Sequence, residues 1–299
     1  MPPTPALEFD SVTKEYRTFF RNESVRALEN FSLRVEPGEI FGFLGPNGAG
    51  KTTAIHIAIG LMFPSSGGGR MLGSPFGNAA ARRKVGFLSE NVALYHRRAG
   101  KLLRFYGELN GMRDPELRRR TQEMLRQVQL EDAAARNAGK FSRGMLQRLG
   151  IAQALINDPE LVILDEPTSA LDPIGRVQVR EMMLRARRAG KTVFLSSHLL
   201  SEVEQICDRI AIVIRGRVAR VGTIKELLES QDRFVITARG IDALMFEGAQ
   251  QNGYIRITVP ALKQRATIEK IWLAGGEVMA VNPIRQTLED LFVELAHKN

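Results

Sequence analysis

Nine consecutive residues, Gly45-Pro46-Asn47-Gly48-Ala49-Gly50-Lys51-Thr52-Thr53, restrict what this chain can fold into more than any other stretch. They follow a short apolar run, Ile40-Phe41-Gly42-Phe43-Leu44, which reads as a buried strand. They lead into a segment, Thr52 to Leu61, that reads as a helix. The spacing is G-x-x-x-x-G-K-[ST]. Glycines let the backbone turn tightly and aim several N–H groups at one anion. Lys51 adds a cation that can reach terminal phosphates, and the Thr52 hydroxyl is an oxygen ligand for Mg²⁺. A helix starting there turns its positive end toward the same anion.

A second run, Leu161-Val162-Ile163-Leu164, is apolar at every position, as a central parallel strand is, and ends at Asp165-Glu166. A carboxylate at a strand end, downstream of a phosphate loop, is the other half of a nucleotide site. Asp165 can hold Mg²⁺. Glu166 is placed to polarise a water for attack on a γ-phosphate. Thr192 to Leu195 is a further buried strand, ending at Ser196-Ser197-His198.

The other elements follow by pattern. Leu7 to Val12 and Phe31 to Val35 alternate as half-buried strands do, with Tyr16 and the stretch Arg17 to Arg26 between them. Pro64 to Gly69 reads as a loop whose three glycines give it freedom. Leu94 to Leu155 is mainly helical. Val177 to Ala189 is a helix. Arg209 to Ile214 and Arg217 to Val221 flank Arg215-Gly216 as a hairpin. Past Gly222 a helix, Ile224 to Ser230, precedes three strand-like segments, Phe234 to Ala238, Tyr254 to Val259 and Val278 to Val281. Helices at Leu262 to Leu273 and Thr287 to His297 alternate with them.

With the motifs in view, a resemblance can be stated. Phe141-Ser142-Arg143-Gly144-Met145-Leu146-Gln147-Arg148 resembles the signature motif of ABC transporter ATP-binding subunits, Leu-Ser-Gly-Gly-Gln. Ser142 and Gly144 match; Phe141, Arg143 and Met145 depart in the manner of the type-2 exporter branch. Ser169-Ala170-Leu171-Asp172 resembles that family's D-loop, and Ser197-His198 its switch histidine. The resemblance implies an α/β fold: a P-loop NTPase of the ABC type with antiparallel β and helical subdomains, plus a small α+β C-terminal domain. The expected ranges are 1–224, with the helical subdomain about 91–156, and 225–299.

The resemblance also implies roles. Gly45, Pro46, Asn47, Gly48, Ala49, Gly50, Lys51, Thr52 and Thr53 bind ATP. Tyr16 stacks on adenine, with Phe19 and Phe20 as alternatives. Thr52, Asp165 and Glu90, which stands where the family usually has glutamine, hold Mg²⁺. Glu166 and His198 are catalytic. Ser142, Arg143, Gly144 and Met145 contact the nucleotide on a second subunit, a copy of this chain or a paralogous ATPase. Transmembrane permease subunits carry the cargo, and the chain lies on the cytoplasmic face of the membrane. The tail motif Thr287-Leu288-Glu289-Asp290-Leu291-Phe292 resembles the C-terminal extension of type-2 exporter ATPases.

Composition narrows the field. One cysteine, Cys207, excludes an intrachain disulfide and suits a reducing compartment. It reads as a core position. Met1-Pro2-Pro3-Thr4-Pro5 does not read as a signal peptide, and no apolar run is long enough to span a bilayer. His56, His96 and His297 fall outside any metal-ligand spacing. The net charge of +9 admits an alternative, a soluble ABC-type ATPase acting on nucleic acid or ribosomes. Its basic clusters lie on helix-like segments without interleaved aromatic platforms, so no nucleic acid is expected.

Overall fold

The computed structural model describes residues 3–17, 24–90, 97–169, 171–228, 230–246, 248–251, 253–285 and 287–298. The chain divides into two compact units, 1–224 and 225–297. In the first, the strands are β1 (Leu7–Arg17), β2 (Ser24–Val35), β3 (Ile40–Leu44), β4 (Ser66–Met71), β5 (Ser74–Pro75), β6 (Val85–Leu88), β7 (Leu161–Asp165), β8 (Thr192–Ser197), β9 (Arg209–Ile214) and β10 (Arg217–Thr223). The helices are α1 (Lys51–Ala58), α2 (Ala79–Arg82), α3 (Ala99–Leu109), α4 (Glu116–Gln127), α5 (Arg143–Leu155), α6 (Pro173–Arg188) and α7 (Leu200–Ile206).

A six-stranded sheet runs β10-β9-β3-β8-β7-β6. Its β6, β7, β8, β3 and β9 are parallel, and β10 returns antiparallel. Every residue of β3, β7 and β8 is buried. Both faces of the sheet are covered there, which is why β3 and β7 read as apolar runs and β8 has Val193-Phe194-Leu195 at its centre. The register sets Leu44 beside Ser197 and Asp165 beside Ser196. The phosphate loop, Glu166 and His198 therefore leave the sheet together, at the carboxyl ends of the strands.

A second sheet, antiparallel, runs β2-β1-β4-β5. It overturns the expectation of a loop at Pro64 to Gly69. Ser66 to Met71 is strand β4, pairing Phe9 with Gly69 and Leu7 with Met71. Gly69 provides room rather than freedom. A Cβ at Gly69 would lie 2.2 Å from the Glu8 carbonyl oxygen and 2.3 Å from the Phe76 ring. Phe76 fills that space and meets Phe9 edge-on at 5.0 Å. Strand β1 also runs further than its alternation suggests, bringing Tyr16 opposite Val25. Between the two sheets lies an aromatic core, with Phe31, Phe43 and Phe194 in sequential contact at 5.8 and 5.1 Å.

Residues 99–155 carry α3, α4 and α5. Helix α5 lies close against β6, where a Cβ at Gly86 would come within 1.8 Å of the Ala154 carbonyl oxygen. Arg120 of α4 donates to the carbonyls of Leu155 (2.8 Å) and Ile156 (3.2 Å), tying α4 to the far end of α5. Cys207 is buried, and burial pushes its thiol pKa up, as a core position requires.

The second unit contains α8 (Ile224–Leu227), β11 (Ser230–Arg239), β12 (Ala249–Gln251), β13 (Tyr254–Pro260), α9 (Gln264–Leu273), β14 (Glu277–Arg285) and α10 (Leu288–Lys298). Its antiparallel sheet runs β12-β13-β11-β14. Ile255, Ile257 and Val259 alternate inward along β13 and pack with Ile236, Ala238 and Ile271 as a separate core. The helix expected from Ile224 to Ser230 stops at Leu227, because Ser230 already pairs with Arg285 in the sheet. The motif at Thr287 is a helix cap. The Thr287 hydroxyl accepts from the Asp290 N–H at 3.2 Å, and the Asp290 carboxylate accepts from the Thr287 N–H at 3.0 Å. This is the reciprocal box that satisfies two orphan donors.

Candidate functional site

Helix α1 begins after Gly50, whose φ of +100° lies in the left-handed region. A Cβ there would sit 2.4 Å from the Ala27 carbonyl oxygen, so glycine is required twice over. Lys51 follows and is buried, with its ammonium donating to the Gly45 carbonyl at 2.7 Å. The Thr52 hydroxyl donates to Asp165 Oδ2 at 3.1 Å. Asp165 is the last residue of β7, and its Oδ1 accepts from the Ser196 hydroxyl on adjacent β8.

Glu166 turns out of the strand with φ +50°. Its N–H donates to both Ser196 Oγ (3.1 Å) and the Ser196 carbonyl (3.2 Å). These bonds hold a residue type that rarely adopts this conformation. Its carboxylate is 7% exposed, with Oε2 at 2.7 Å from His198 Nδ1 and Oε1 at 3.7 Å from Lys51 Nζ.

Tyr16, Pro46 to Thr53, Glu90, Asp165, Glu166 and His198 line one cavity of 470 Å³, completed by Val25, Arg26 and Ala27. Gly45 takes part through its carbonyl bond to Lys51. The Tyr16 hydroxyl lies 3.1 Å from Met62 Sδ and 3.4 Å from Thr53 Oγ1. Phe19 and Phe20 lie outside the described residues. Thr52 and Asp165 present hard oxygen donors side by side, with the Glu90 carboxylate on the same cavity. That set fits Mg²⁺, which keeps waters and substrate phosphates in its shell. Among the described residues, no cluster of three His, Cys, Asp or Glu could cage a metal unaided.

The stretch from Ser142 to Met145 does not join this cavity. Ser142 caps α5, its hydroxyl accepting from the Met145 N–H at 3.2 Å, and Arg143 is the first helical residue. Ser142, Gly144 and Met145 line a different cavity, of 440 Å³, shared with Leu171 and Asp172. Asp172 caps α6, accepting from the Gly175 N–H at 2.9 Å. Ser169 donates its hydroxyl to the Glu166 carbonyl at 3.1 Å. Ala170 lies outside the described residues.

Two contributors escape sequence reasoning. Gln147, buried on α5, donates to the carbonyls of Pro167 (3.0 Å) and Glu166 (3.3 Å). It ties the helix begun at Ser142 to the segment following the acidic pair. Its one signal is an amide on the apolar side of a helix. Ser196 anchors both Asp165 and the Glu166 backbone; in the sequence it is one of two adjacent serines.

The family model described as ABC transporter matches residues 28–169. An uncharacterized ABC transporter ATP-binding protein of Nostoc sp. is 42% identical, covering 99% of this chain and 91% of its own length. A Nod factor export ATP-binding protein of Paraburkholderia xenovorans is 36% identical over 77% of this chain and 74% of its own. A solved ATP-binding cassette, a dimer in a post-hydrolysis state with ADP and phosphate, matches with a TM-score of 0.68 and 27% identity. It covers 73% of this chain and 99% of its own. The alternative of a soluble ATPase acting on nucleic acid finds no support among these relatives. With this phosphate loop and acidic pair, and with the Nostoc likeness running almost end to end, the chain belongs to the ABC transporter family as one of its ATP-binding, ATP-hydrolysing subunits.

Proposed function

We propose that this chain powers an exporter, with ATP closing a pair of subunits and hydrolysis reopening it. The observation that carries the reading is Glu166, a nearly buried carboxylate 2.7 Å from His198 Nδ1 and beside the phosphate loop. The N–H groups from Gly48 to Thr53 and the Lys51 ammonium bind the triphosphate. Tyr16 stacks on the adenine. Thr52, Asp165 and Glu90 hold Mg²⁺, which when bound neutralises phosphate charge. Glu166 accepts the proton of the attacking water. His198 orients that water and contacts the γ-phosphate.

Each site is completed by a second chain, a copy or a paralogous ATPase, through its Ser142, Arg143, Gly144 and Met145. Residues Ser169, Ala170, Leu171 and Asp172 run along the seam. The separation of the Ser142 cavity from the Lys51 cavity supports this arrangement, as does the dimeric neighbour. Residues 1–224 form the ATPase domain, with a helical subdomain near 91–156, and 225–299 an accessory domain. No helix among the described residues is long and apolar enough to cross a membrane. The cargo path belongs to separate permease subunits, and the chain docks on their cytoplasmic side. Export is supported by the name of the Nod factor relative.

The test is Glu166→Gln. The amide keeps the shape but is a far poorer base. ATP binding should persist, while hydrolysis falls about 10²- to 10⁴-fold, or ~3–5 kcal/mol of barrier. Light scattering with Mg-ATP should find the variant paired. Unchanged turnover would overturn the assignment.

A further inference from the structure

Glu202, in the first turn of α7, lies four residues beyond His198. Its side chain is mostly buried, yet it plays no part in the functions above. Oε2 accepts from the Thr168 hydroxyl at 2.5 Å. Oε1 is shut off from solvent and makes no hydrogen bond among the described residues; it faces Arg176 Nη1 at 3.4 Å. Arg176 in turn donates from Nε to the Leu171 carbonyl at 3.1 Å. Thr168 is buried and follows Glu166 by two positions, and its carbonyl accepts from the Leu171 N–H at 3.1 Å. Glu202 lies one helical turn beyond His198, with its own N–H bonded to the Leu199 carbonyl at 3.2 Å.

These contacts close a ring. One side runs from Glu166 to His198 through the 2.7 Å bond and along the start of α7 to Glu202. The other runs from Glu166 along the chain to Thr168. The Thr168–Glu202 bond joins the two. Further along, α7 is held by buried Val203 and Ile206 and by the Arg180–Gln205 bond; at its first turn, next to His198, Glu202 makes the side-chain tie to the segment after Glu166. A carboxylate near a helix N-terminus is favoured by the helix dipole anyway. That explains an acid in the first turn, but not a half-buried acid with one oxygen given to a threonine and the other facing an arginine.

We propose that Glu202 is a positioning residue: it pins the start of α7, and so His198, to Thr168 and, through Arg176, to Leu171. The proposal rests on the roles assigned above to Glu166 and His198. It makes the geometry of the Glu166–His198 pair depend on the Leu171–Asp172 side of the molecule, which belongs to the other cavity.

The experiment is steady-state hydrolysis of Mg-ATP by the full-length chain, with kcat and KM separated. Thr168→Val keeps the shape and removes the donor. It should lower kcat about 10-fold or more, the scale on which small misplacements act, and leave KM within about twofold. Thr168→Ser should restore kcat. Glu202→Gln should lower kcat similarly. The double variant should be no worse than the poorer single one, since the two changes break successive links of one tether, Thr168 to Glu202 and Glu202 to Arg176. Melting curves identify any variant that has lost its fold, and the Thr168→Ser rescue decides the matter if Glu202→Gln is unstable. His198→Ala and Glu166→Gln run alongside. If these two abolish turnover while Thr168→Val and Glu202→Gln leave kcat intact or raise only KM, the positioning role is wrong and the site assignment stands. If His198→Ala and Glu166→Gln leave turnover unchanged, both fall together.

Discussion

Lys51 takes a positive charge to a place 7% exposed, which is tolerable only because oxygens surround it. The Gly45 carbonyl is at 2.7 Å, the Pro46 carbonyl at 3.5 Å and Glu166 Oε1 at 3.7 Å. Lys51→Ala removes a charged donor worth about 1.5–3 kcal/mol. Affinity for Mg-ATP should fall about 10- to 100-fold by calorimetry, with the melting transition still cooperative. Undiminished affinity would remove Lys51 from the site. Glu166 stores strain beside it, since a left-handed backbone costs a non-glycine residue about 1–2 kcal/mol. The two bonds to Ser196 hold it there. Asp165, Glu166 and His198 are legible in the sequence because each follows the end of a buried strand, and Lys51 because of the glycine spacing before it. Gln147 and Glu202 are not, because their partners are 19 to 34 residues away and nothing in the spacing names them.

Helix α5 carries Ser142 at its start and Gln147 one turn on, and it is set in place by its contact with β6 at Gly86. Gly86→Ala would drive a methyl group into the Ala154 carbonyl, 1.8 Å away, and backbone cannot step aside as a side chain can. The cost should be about 1–3 kcal/mol by denaturant unfolding, with ATP turnover falling as α5 shifts. Gly100→Ala, near the start of α3, is the control. Its nearest atom would be the Ala134 carbonyl oxygen at 3.4 Å, and the change should stay within about 0.5 kcal/mol. Equal effects at both positions would contradict the packing argument. Strands β3 and β7 could be read directly, because complete burial writes itself there as a run of apolar residues, and β8 through its core Val193-Phe194-Leu195. Strand β4 could not, since Gly67-Gly68-Gly69 has no alternation to read and owes its pairing to β1 and Phe76. Strand β12 is three residues long and takes its form from β13.

At the scale of the molecule, each unit has its own apolar core. Every residue lining the phosphate-loop cavity precedes residue 224. A chain ending at Ile224 should fold cooperatively and bind Mg-ATP with unchanged affinity. Loss of binding on truncation would mean that residues 225–299 support the site. The two cavities, one around Lys51 and one around Ser142, have a consequence in heredity. If a site is completed by two chains as proposed, a lesion at Lys51 spoils the chain's own phosphate loop and spares the face it lends. A lesion at Ser142 does the reverse. A pair built from one chain of each kind contains one whole site and one doubly broken site. Two alleles, each null alone, would then rescue one another in the same cell, and a single gene would sort into two complementation groups. Both lesions on one chain would leave its partner no such escape.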